Sequence, residues 1–312
     1  MAPGAAPAIF CCAIVSRAVS SKYEQWMSGI VFLIDCPDRR GLVASTSTFF
    51  FERGFNILSC QQYADPDTRS FFMRMKLSLD DLKTSRKRLE EDFGAFAEGF
   101  EMKWAVHYTD YVPKVAVLVT KESHCLYDLL LRTEEGELRC EIPLIVSNHP
   151  SLEGVADRFR IPYHCLPVTK DSKVEREDEL LALFDQYHID LVVLARYMQI
   201  LSPKVVEPYR GRVINIHHAF LPAFQGAKAY RHAYERGVKM IGATAHYVTE
   251  DLDEGPIIEQ GVERVTHEHK PDDLVQIGRD IERVVLARAV RAHLEHQLII
   301  SGRRTICFSS GV

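Results

Sequence analysis

The sequence predicts an α/β protein with two consecutive domains: a small β-α-β-β-α-β unit, then a larger, open and mostly parallel sheet with helices on both faces. Two observations predict this arrangement. From Gly29, strand-like and helix-like segments follow one another in that order over roughly 80 residues. Beyond Lys114, wholly apolar strand segments alternate with helical segments, which is typical of parallel sheets that are buried on both faces.

The first domain, residues 29–109, is predicted from turn signals and residue periodicity. The strand IVFLID ends at the turn CPDRRG, and the helix LVASTSTFFFERG ends at Gly54. FNILSCQQYAD and the alternating segment FFMRMKLSL are predicted strands. A second helix is predicted to start at Asp80 and Asp81, which suit its positive end, and EMKWAVHY follows as the last strand. This order is that of a ferredoxin-like unit.

The second domain, residues 114–309, follows the predicted linker TDYVPK. Its strands are predicted in VAVLVT, CEIPLIVSN, IPYHCL, IDLVVLARY, RVINIHH, MIGATAHYVT and PIIEQGV. Helices are predicted between the earlier strands of this series, which indicates a Rossmann-like open sheet. The long amphipathic segment DDLVQIGRDIERVVLARAVRAHLEHQ is predicted to be a scaffold helix.

Composition disfavours several classes of protein. The net charge is −5 and no dense basic run occurs, so no nucleic-acid partner is expected. No apolar run reaches the length of about 18 residues that a membrane span needs, so no membrane partner is expected. The eight cysteines are scattered without a C-x-x-C pair, which disfavours structural metal and favours a reducing compartment. The cytoplasm is therefore the expected location.

The first 26 residues differ in composition from the rest, and their small residues and scarcity of charge leave three interpretations open. They could form a transit peptide, which would place the protein in mitochondria, or a signal-like apolar segment. They could also be a disordered extension, with a working start at Met27. We expect the last, and residues 1–28 are excluded from the fold as a disordered or cleaved extension.

The chemistry-bearing residues lie in the last third of the chain. RVINIHH brings Asn215, His217 and His218 to the end of an apolar strand, the edge where open α/β sheets form their sites. The strand MIGATAHYVT carries His246, and the acidic loop TEDLDEG after it carries Asp253. An amide and an imidazole can stabilise a developing oxyanion, and a carboxylate can take a proton from a nucleophile. No G-x-S-x-G nucleophile elbow accompanies them.

Two alternatives stay open at this point. The histidines could be structural and the acidic loop a solvated turn. A metal site built from His217, His218 and Asp253 is disfavoured, because adjacent residues of a strand face opposite ways.

The segment INIHHAFLPAFQGAKAYRHAYERGVKMIGATAHYVTEDLDEGPII closely resembles the folate-dependent formyltransferase superfamily. The matching motifs are Asn215-x-His217, the LPAFQG loop, His246 and DEGPII from Asp253. Within the superfamily the chain is similar to the formyltetrahydrofolate deformylase (formyltetrahydrofolate hydrolase) family. DCPDRRGL and GFNIL resemble an ACT domain, and Lys121 and His124 stand where a phosphate-binding loop would have small residues. The pair His217-His218 and the terminal SGRRTICF complete the resemblance.

The resemblance implies hydrolysis of the linear amide C–N bond of 10-formyltetrahydrofolate to formate and tetrahydrofolate. Asp253 would orient and deprotonate water, Asn215 and His217 would stabilise the oxyanion, and His246 would support Asp253. The substrate would contact Met198, Ile200, Leu201, Val248, Thr249 and Glu250. The folate is the substrate, and neither a cofactor nor a metal is expected. A role in one-carbon metabolism and in formate supply for purine biosynthesis is implied.

The ACT-like unit implies a regulatory or dimerisation role, and a homo-oligomer is expected. An amino-acid effector would bind at Asp38, Arg39, Gly41, Leu42 and Asn56. Two rival functions remain: a formyltransferase that uses an amine acceptor, and a non-catalytic protein that binds folate or amino acids.

Overall fold

The structure, a computed structural model, describes residues 28–169, 171–222 and 229–308. The expected extension lies outside these residues except for Ser28, as do residues 223–226 of the LPAFQG loop. The chain divides into two compact units, with the boundary between Tyr111 and Val112.

The first unit has the predicted β-α-β-β-α-β order. Its elements are β1 (Gly29–Pro37), α1 (Leu42–Glu52), β2 (Ile57–Asp65), β3 (Ser70–Ser78), α2 (Arg86–Glu98) and β4 (Lys103–Tyr108). The strands form one antiparallel sheet in the order β2-β3-β1-β4. Its core includes Phe32 of β1, whose ring centroid lies 4.9 Å from that of Phe50 and 4.6 Å from that of Phe93. Buried aromatic area of this kind is a major source of stability in a small domain.

The predicted start of α2 is wrong. Asp80 and Asp81 lie in a short 3-10 turn, Leu79–Asp81, and α2 begins only at Arg86. Ser85 caps this helix, because its hydroxyl accepts a hydrogen bond from the backbone N–H of Arg88 at 3.1 Å. The Asp81 carboxylate accepts instead from the backbone N–H of Asn56. Asp81 therefore stabilises the entry to β2 and does not cap α2.

The second unit contains a seven-stranded sheet covered by helices. Its strands are β5 (Lys114–Val119), β6 (Glu141–Ser147), β7 (Tyr163–Cys165), β8 (Leu191–Leu194), β9 (Val213–His217), β10 (Met240–Tyr247) and β11 (Ile257–Arg264). Its helices are α3 (His124–Glu134), α4 (Glu153–Phe159), α5 (Lys173–Tyr187), α6 (Pro203–Val206), α7 (Ala229–Arg236) and α8 (Pro271–Leu294).

The strand order of this sheet is β11-β10-β9-β8-β5-β6-β7. The five strands from β9 to β7 are parallel, whereas β10 and β11 are antiparallel to their neighbours. The predicted open, mostly parallel α/β fold is confirmed. Val285, Leu286 and Ala289 of α8 are buried in the core that this helix forms with the sheet.

A C-terminal hairpin, β12 (Leu298–Ser301) and β13 (Arg304–Cys307), was not predicted. Its Thr305 hydroxyl donates a hydrogen bond to the carbonyl oxygen of Ile257, which ties the hairpin to the start of β11. Within the part of the chain that the structure describes, no helix combines the length and the apolar character that crossing a bilayer requires.

The end of β8 creates the space for a site. Leu194, the last residue of β8, pairs with Asn215 of β9, and β9 continues to His217. Side chains at the end of β9 therefore lie beyond the neighbouring strand, at the carboxyl edge where ligands bind in this class of fold.

Candidate active site

A cavity of about 320 Å³ opens at this edge of the sheet, a volume within the range of small-molecule sites. The cavity is lined by all ten residues predicted for catalysis and substrate binding: Asn215, His217, His246, Asp253, Met198, Ile200, Leu201, Val248, Thr249 and Glu250. Residues that are distant along the chain thus share one space.

Asp253 lies between two imidazoles. Its Oδ2 is 3.3 Å from Nδ1 of His217, and its Oδ1 is 3.6 Å from Nε2 of His246. The Asp253 side chain is only 14% exposed, so these contacts are little screened by water. Hydrogen bonding to His217, and next to His246, holds the pKa of Asp253 well below its ordinary value of 3.8. The carboxyl is therefore an anion at neutral pH.

The loop after β10 is folded tightly so that Asp253 returns to the sheet. The backbone N–H of Tyr247 donates to the carbonyl oxygen of Pro256 at 2.9 Å, which closes the loop. A Cβ atom on Gly255 would lie 1.7 Å from the Tyr247 carbonyl oxygen, so no side chain fits there. Asp253 itself has a left-handed backbone, with φ 57°. This uncommon conformation of a non-glycine residue aims the carboxylate at the two histidines.

His246 is held in one orientation. Its Nδ1 lies 2.9 Å from the carbonyl oxygen of Tyr247, and because a carbonyl only accepts, Nδ1 carries a proton. Its Nε2 lies 3.2 Å from Nδ2 of Asn215, the residue opposite it on β9. Nε2 is therefore the ring nitrogen that faces both Asn215 and Asp253.

His217 has one ring nitrogen in use and one available. Nδ1 faces Asp253, and Nε2 is buried with no hydrogen-bond partner among the described residues. His217 can therefore face the carboxylate with one ring nitrogen and a bound substrate with the other.

His218 also lines the cavity, and the expectation that adjacent histidines face opposite ways is wrong here. The ring centroids of His217 and His218 are 5.3 Å apart. β9 ends at His217, so the alternation of a strand no longer applies to the next residue. The alternative metal site of His217, His218 and Asp253 is weakened by the direct contact between His217 and Asp253, which engages those atoms with each other.

Sequence reasoning missed a second cluster beside the cavity. Arg196, which lines the cavity, lies next to the buried carboxylate of Glu282 on α8. His124 and Tyr230 also contact Glu282. The position of Arg196 directly after a buried strand was the one available signal. The helix α8, predicted as scaffold, therefore also supplies a charged group near the site.

The same cluster contains the one group of described His, Cys, Asp and Glu residues that could hold a metal ion, His124, Cys125 and Glu282. Two observations favour a hydrogen-bonded cluster instead. Nε2 of His124 is 2.8 Å from Oε2 of Glu282, so both atoms are engaged. Burial raises the pKa of the Cys125 thiol well above its ordinary value, whereas a metal needs the thiolate.

The predicted effector residues lie at the start of α1 and β2. Gly41 precedes α1 with φ 91°, a conformation that glycine adopts at little cost. Leu42 is buried, and Asp38, Arg39 and Asn56 are exposed. Arg39 forms an exposed ion pair with Glu101 at 3.5 Å. An effector site here stays a prediction.

Comparison with known proteins gives consistent results for both units. Residues 113–290 match the family model of formyl transferases, and residues 30–94 match that of ACT domains. A formyltetrahydrofolate deformylase from Synechocystis sp. is 50% identical over 277 residues, which are 89% of this chain and 97% of that protein. The Bacillus subtilis formyltetrahydrofolate deformylase is 47% identical over 278 residues, 89% of this chain and 93% of that protein.

Solved structures agree with these sequence relatives. The crystal structure of a formyltetrahydrofolate deformylase from Pseudomonas syringae matches with a TM-score of 0.90 and 42% identity, and the match covers 95% of this chain and 99% of that one. Glycinamide ribonucleotide transformylase 1 from Symbiobacterium toebii matches with a TM-score of 0.61 and 30% identity, over 65% of this chain and 97% of that one.

Proposed function

This chain belongs to the formyltetrahydrofolate deformylase family, and from that premise we propose that it hydrolyses 10-formyltetrahydrofolate with Asp253, His217 and Asn215 as its catalytic residues. The observation that carries this assignment is the anionic Asp253 held between His217 and His246 in a cavity that Asn215 also lines.

Asp253 acts on the water. Its carboxylate accepts a hydrogen bond from a water molecule placed against the formyl carbon and takes a proton as the O–C bond forms. His246, fixed by the Tyr247 carbonyl, keeps the carboxylate in position. When the tetrahedral intermediate collapses, the bond from carbon to N10 breaks, N10 takes the proton that Asp253 had accepted, and the formic acid left behind releases its proton as formate. Formate and tetrahydrofolate are the products.

His217 and Asn215 act on the formyl oxygen. The buried Nε2 of His217 is the atom proposed to donate to the oxygen as it becomes negative, and the Asp253 carboxylate lies beside the other ring nitrogen. The Asn215 amide donates from the same strand face, two residues away along β9. Both donors are in place before the reaction starts, so the protein does not reorganise when charge develops.

The pteridine is proposed to lie between the loop after β8 and the loop after β10. Met198 and Ile200 are 49% and 59% exposed although they line the cavity, and Leu201 is buried behind them. Apolar side chains exposed at a cavity suit a flat ring system. Val248, Thr249 and Glu250 supply the other wall, which offers both apolar contact and hydrogen-bonding groups.

The proposal is tested by incubating the purified protein with 10-formyltetrahydrofolate in the absence of any amine. Formate and tetrahydrofolate are expected in equal amounts. The rival transferase function predicts that formate stays absent and that turnover appears only when an amine acceptor is added and becomes formylated.

The stability that Asp253 contributes is expected to depend on pH. Because folding lowers its pKa, this contribution is present above pH 3.8, the ordinary value, and is lost as pH falls towards the folded-state pKa. The difference in Tm between the native protein and Asp253→Asn should therefore shrink as the pH is lowered from 5 to 3, values chosen to bracket roughly the ordinary pKa. A difference that stays constant over this window would contradict the ion-pair account, and Glu254→Gln serves as the control.

Regulation, assembly and cellular context are part of the proposal. The ACT unit, residues 29–109, is proposed to bind an amino acid or to join subunits into a homo-oligomer, and equilibrium dialysis with free amino acids separates these roles. Residues 114–309 are proposed as the catalytic domain. The reaction would supply formate for purine biosynthesis and balance the one-carbon pool. The cytoplasm stays a prediction from the scattered cysteines.

A further inference from the structure

Arg196 is the one Lys or Arg among the described residues that line the cavity. It follows Ala195 directly after β8, and its backbone is left-handed with φ 65°. Its side chain is 15% exposed. A strongly basic group thus lies against the reaction space, largely out of water.

Glu282 anchors Arg196 from behind. The Glu282 side chain is 1% exposed, and its Oε2 lies 3.5 Å from Nε of Arg196. Burial alone would raise the pKa of Glu282, but the hydrogen bond to His124 and the charge of Arg196 outweigh it and hold that pKa below its ordinary value. A buried anion therefore fixes the guanidinium in place.

The two oxygens of Glu282 already have other partners. The Tyr230 hydroxyl donates to Oε1 at 2.7 Å, and Nε2 of His124 lies 2.8 Å from Oε2. The Tyr230 ring packs closely against α8 at Gly278. A Cβ atom at that position would lie only 2.1 Å from the ring. The carboxylate is thus shared, and its contact with Arg196 is an ion pair and not a hydrogen bond.

Two nitrogen atoms of the Arg196 guanidinium consequently lack a hydrogen-bond acceptor among the described residues. Nε and Nη1 are buried, and none of the residues within the described ranges accepts a hydrogen bond from either atom. Buried guanidinium N–H groups without acceptors are costly, and a carboxylate fits a guanidinium in a two-pronged geometry. Nη2 shares an edge of the guanidinium with Nη1, so a small planar anion that reaches Nη2 can also pair with Nη1, away from Glu282.

The reaction creates such an anion in an unfavourable place. Three carboxylates line the cavity, those of Glu250, Asp251 and Asp253. The substrate formyl group is neutral, whereas the product formate is negative and is formed beside Asp253. Repulsion favours its departure from the carboxylates, and Arg196, the one Lys or Arg among the described lining residues, offers a site of opposite charge.

We propose that Arg196, held by Glu282, is a subsite for a small carboxylate that receives formate as it leaves the reacting position. This inference rests on the proposed hydrolysis. The carboxylate could also come from the glutamate portion of the folate, so the experiment has an arm for each source. Weak binding is expected, in the range of about 1 mM, because a product has to leave.

The test is product inhibition of the full-length protein. Initial rates are measured with sodium formate and with sodium chloride at equal ionic strength. Formate is expected to inhibit the native protein more than chloride does, and Arg196→Gln is expected to raise the formate inhibition constant at least about tenfold.

Arg196→Lys keeps the charge but not the planar fork and should weaken inhibition less than Arg196→Gln. Arg231→Gln, on the exposed face of α7, should keep the native inhibition constant.

A second measurement does not depend on turnover. Formate should raise the Tm of the native protein and of Arg231→Gln relative to chloride, and should not raise that of Arg196→Gln. If Arg196→Gln does not fold, Arg196→Gln combined with Glu282→Gln removes both charges, and the same loss of the Tm shift is expected there. An equal response to formate in native and charge-free variants overturns the proposal, as does a native protein that responds equally to formate and chloride.

The second source is tested with a substrate that lacks the glutamate. If Arg196→Gln raises KM for 10-formyltetrahydrofolate but leaves KM unchanged for the 10-formyltetrahydropteroyl amide, which has no free carboxylate, Arg196 binds the folate carboxylate and the formate assignment is wrong. Loss of formate inhibition with both substrates supports it. Formate release by the native protein tests the proposed function separately, so the two ideas can fail independently.

Discussion

Asp253→Asn should lower kcat roughly 100- to 10,000-fold while the folate still binds. The amide is nearly the size of the carboxylate, so the loop and the cavity keep their shape. It cannot take a proton from water, and it brings no negative charge to His217, whose Nδ1 lies 3.3 Å from the native carboxylate. One substitution thus removes both the base and the charge that supports the oxyanion donor. This explains why the largest loss is expected here.

Single-turnover formate release and equilibrium binding of the substrate are the two measurements for this variant. Glu254→Gln makes the same chemical change one residue later, at a side chain that is 46% exposed and pairs with Arg303 outside the cavity. That control should keep native kcat. Near-native turnover by Asp253→Asn would remove Asp253 from the mechanism.

His217→Ala and Asn215→Ala should each lose about 3 kcal/mol of transition-state stabilisation, which is about 100- to 1,000-fold in kcat. Each substitution deletes a donor that is proposed to act on the oxyanion and not on the neutral formyl group. KM should therefore change much less than kcat. The His217 ring is 6% exposed and its Nε2 lacks another described partner, so no neighbouring group replaces it.

Steady-state kcat and KM are measured for both variants. His164→Ala is the matched control, because it deletes a half-buried imidazole that lies outside the cavity and contacts Tyr187. It should leave kcat near the native value. A rise in KM with kcat unchanged would show that His217 or Asn215 binds the ground state and does not stabilise the oxyanion.

The sequence predicted the order of elements well, because period and turn signals are local properties. The apolar strand before Asn215 and the alternating sequence FFMRMKLSL are patterns of neighbours one to four residues apart, although β3 is buried almost throughout. The start of α2 was wrong because two aspartates and one serine competed for the cap, and only the three-dimensional path to Asn56 decides between them. The strands β12 and β13 have four residues each, too few to show a period from which the hairpin could be predicted.

The candidate site was predictable only as a set of residues. Motifs identified Asn215, His217, His246 and Asp253, but their convergence depends on the antiparallel direction of β10, which no local pattern encodes. The shared orientation of His217 and His218 depends on where β9 stops. Arg196 and Glu282 are in contact although they are distant in the sequence, and neither belongs to a motif that predicts this contact.

The central claim is that Asp253 and His217 act together on one formyl group, and a double-mutant cycle in kcat tests it most directly. Groups that serve the same transition state as a unit are strongly non-additive. The combined variant His217→Ala with Asp253→Asn should therefore be about as slow as the slower single variant. If the two losses multiply instead, the residues act independently, and the account of a single shared site is contradicted.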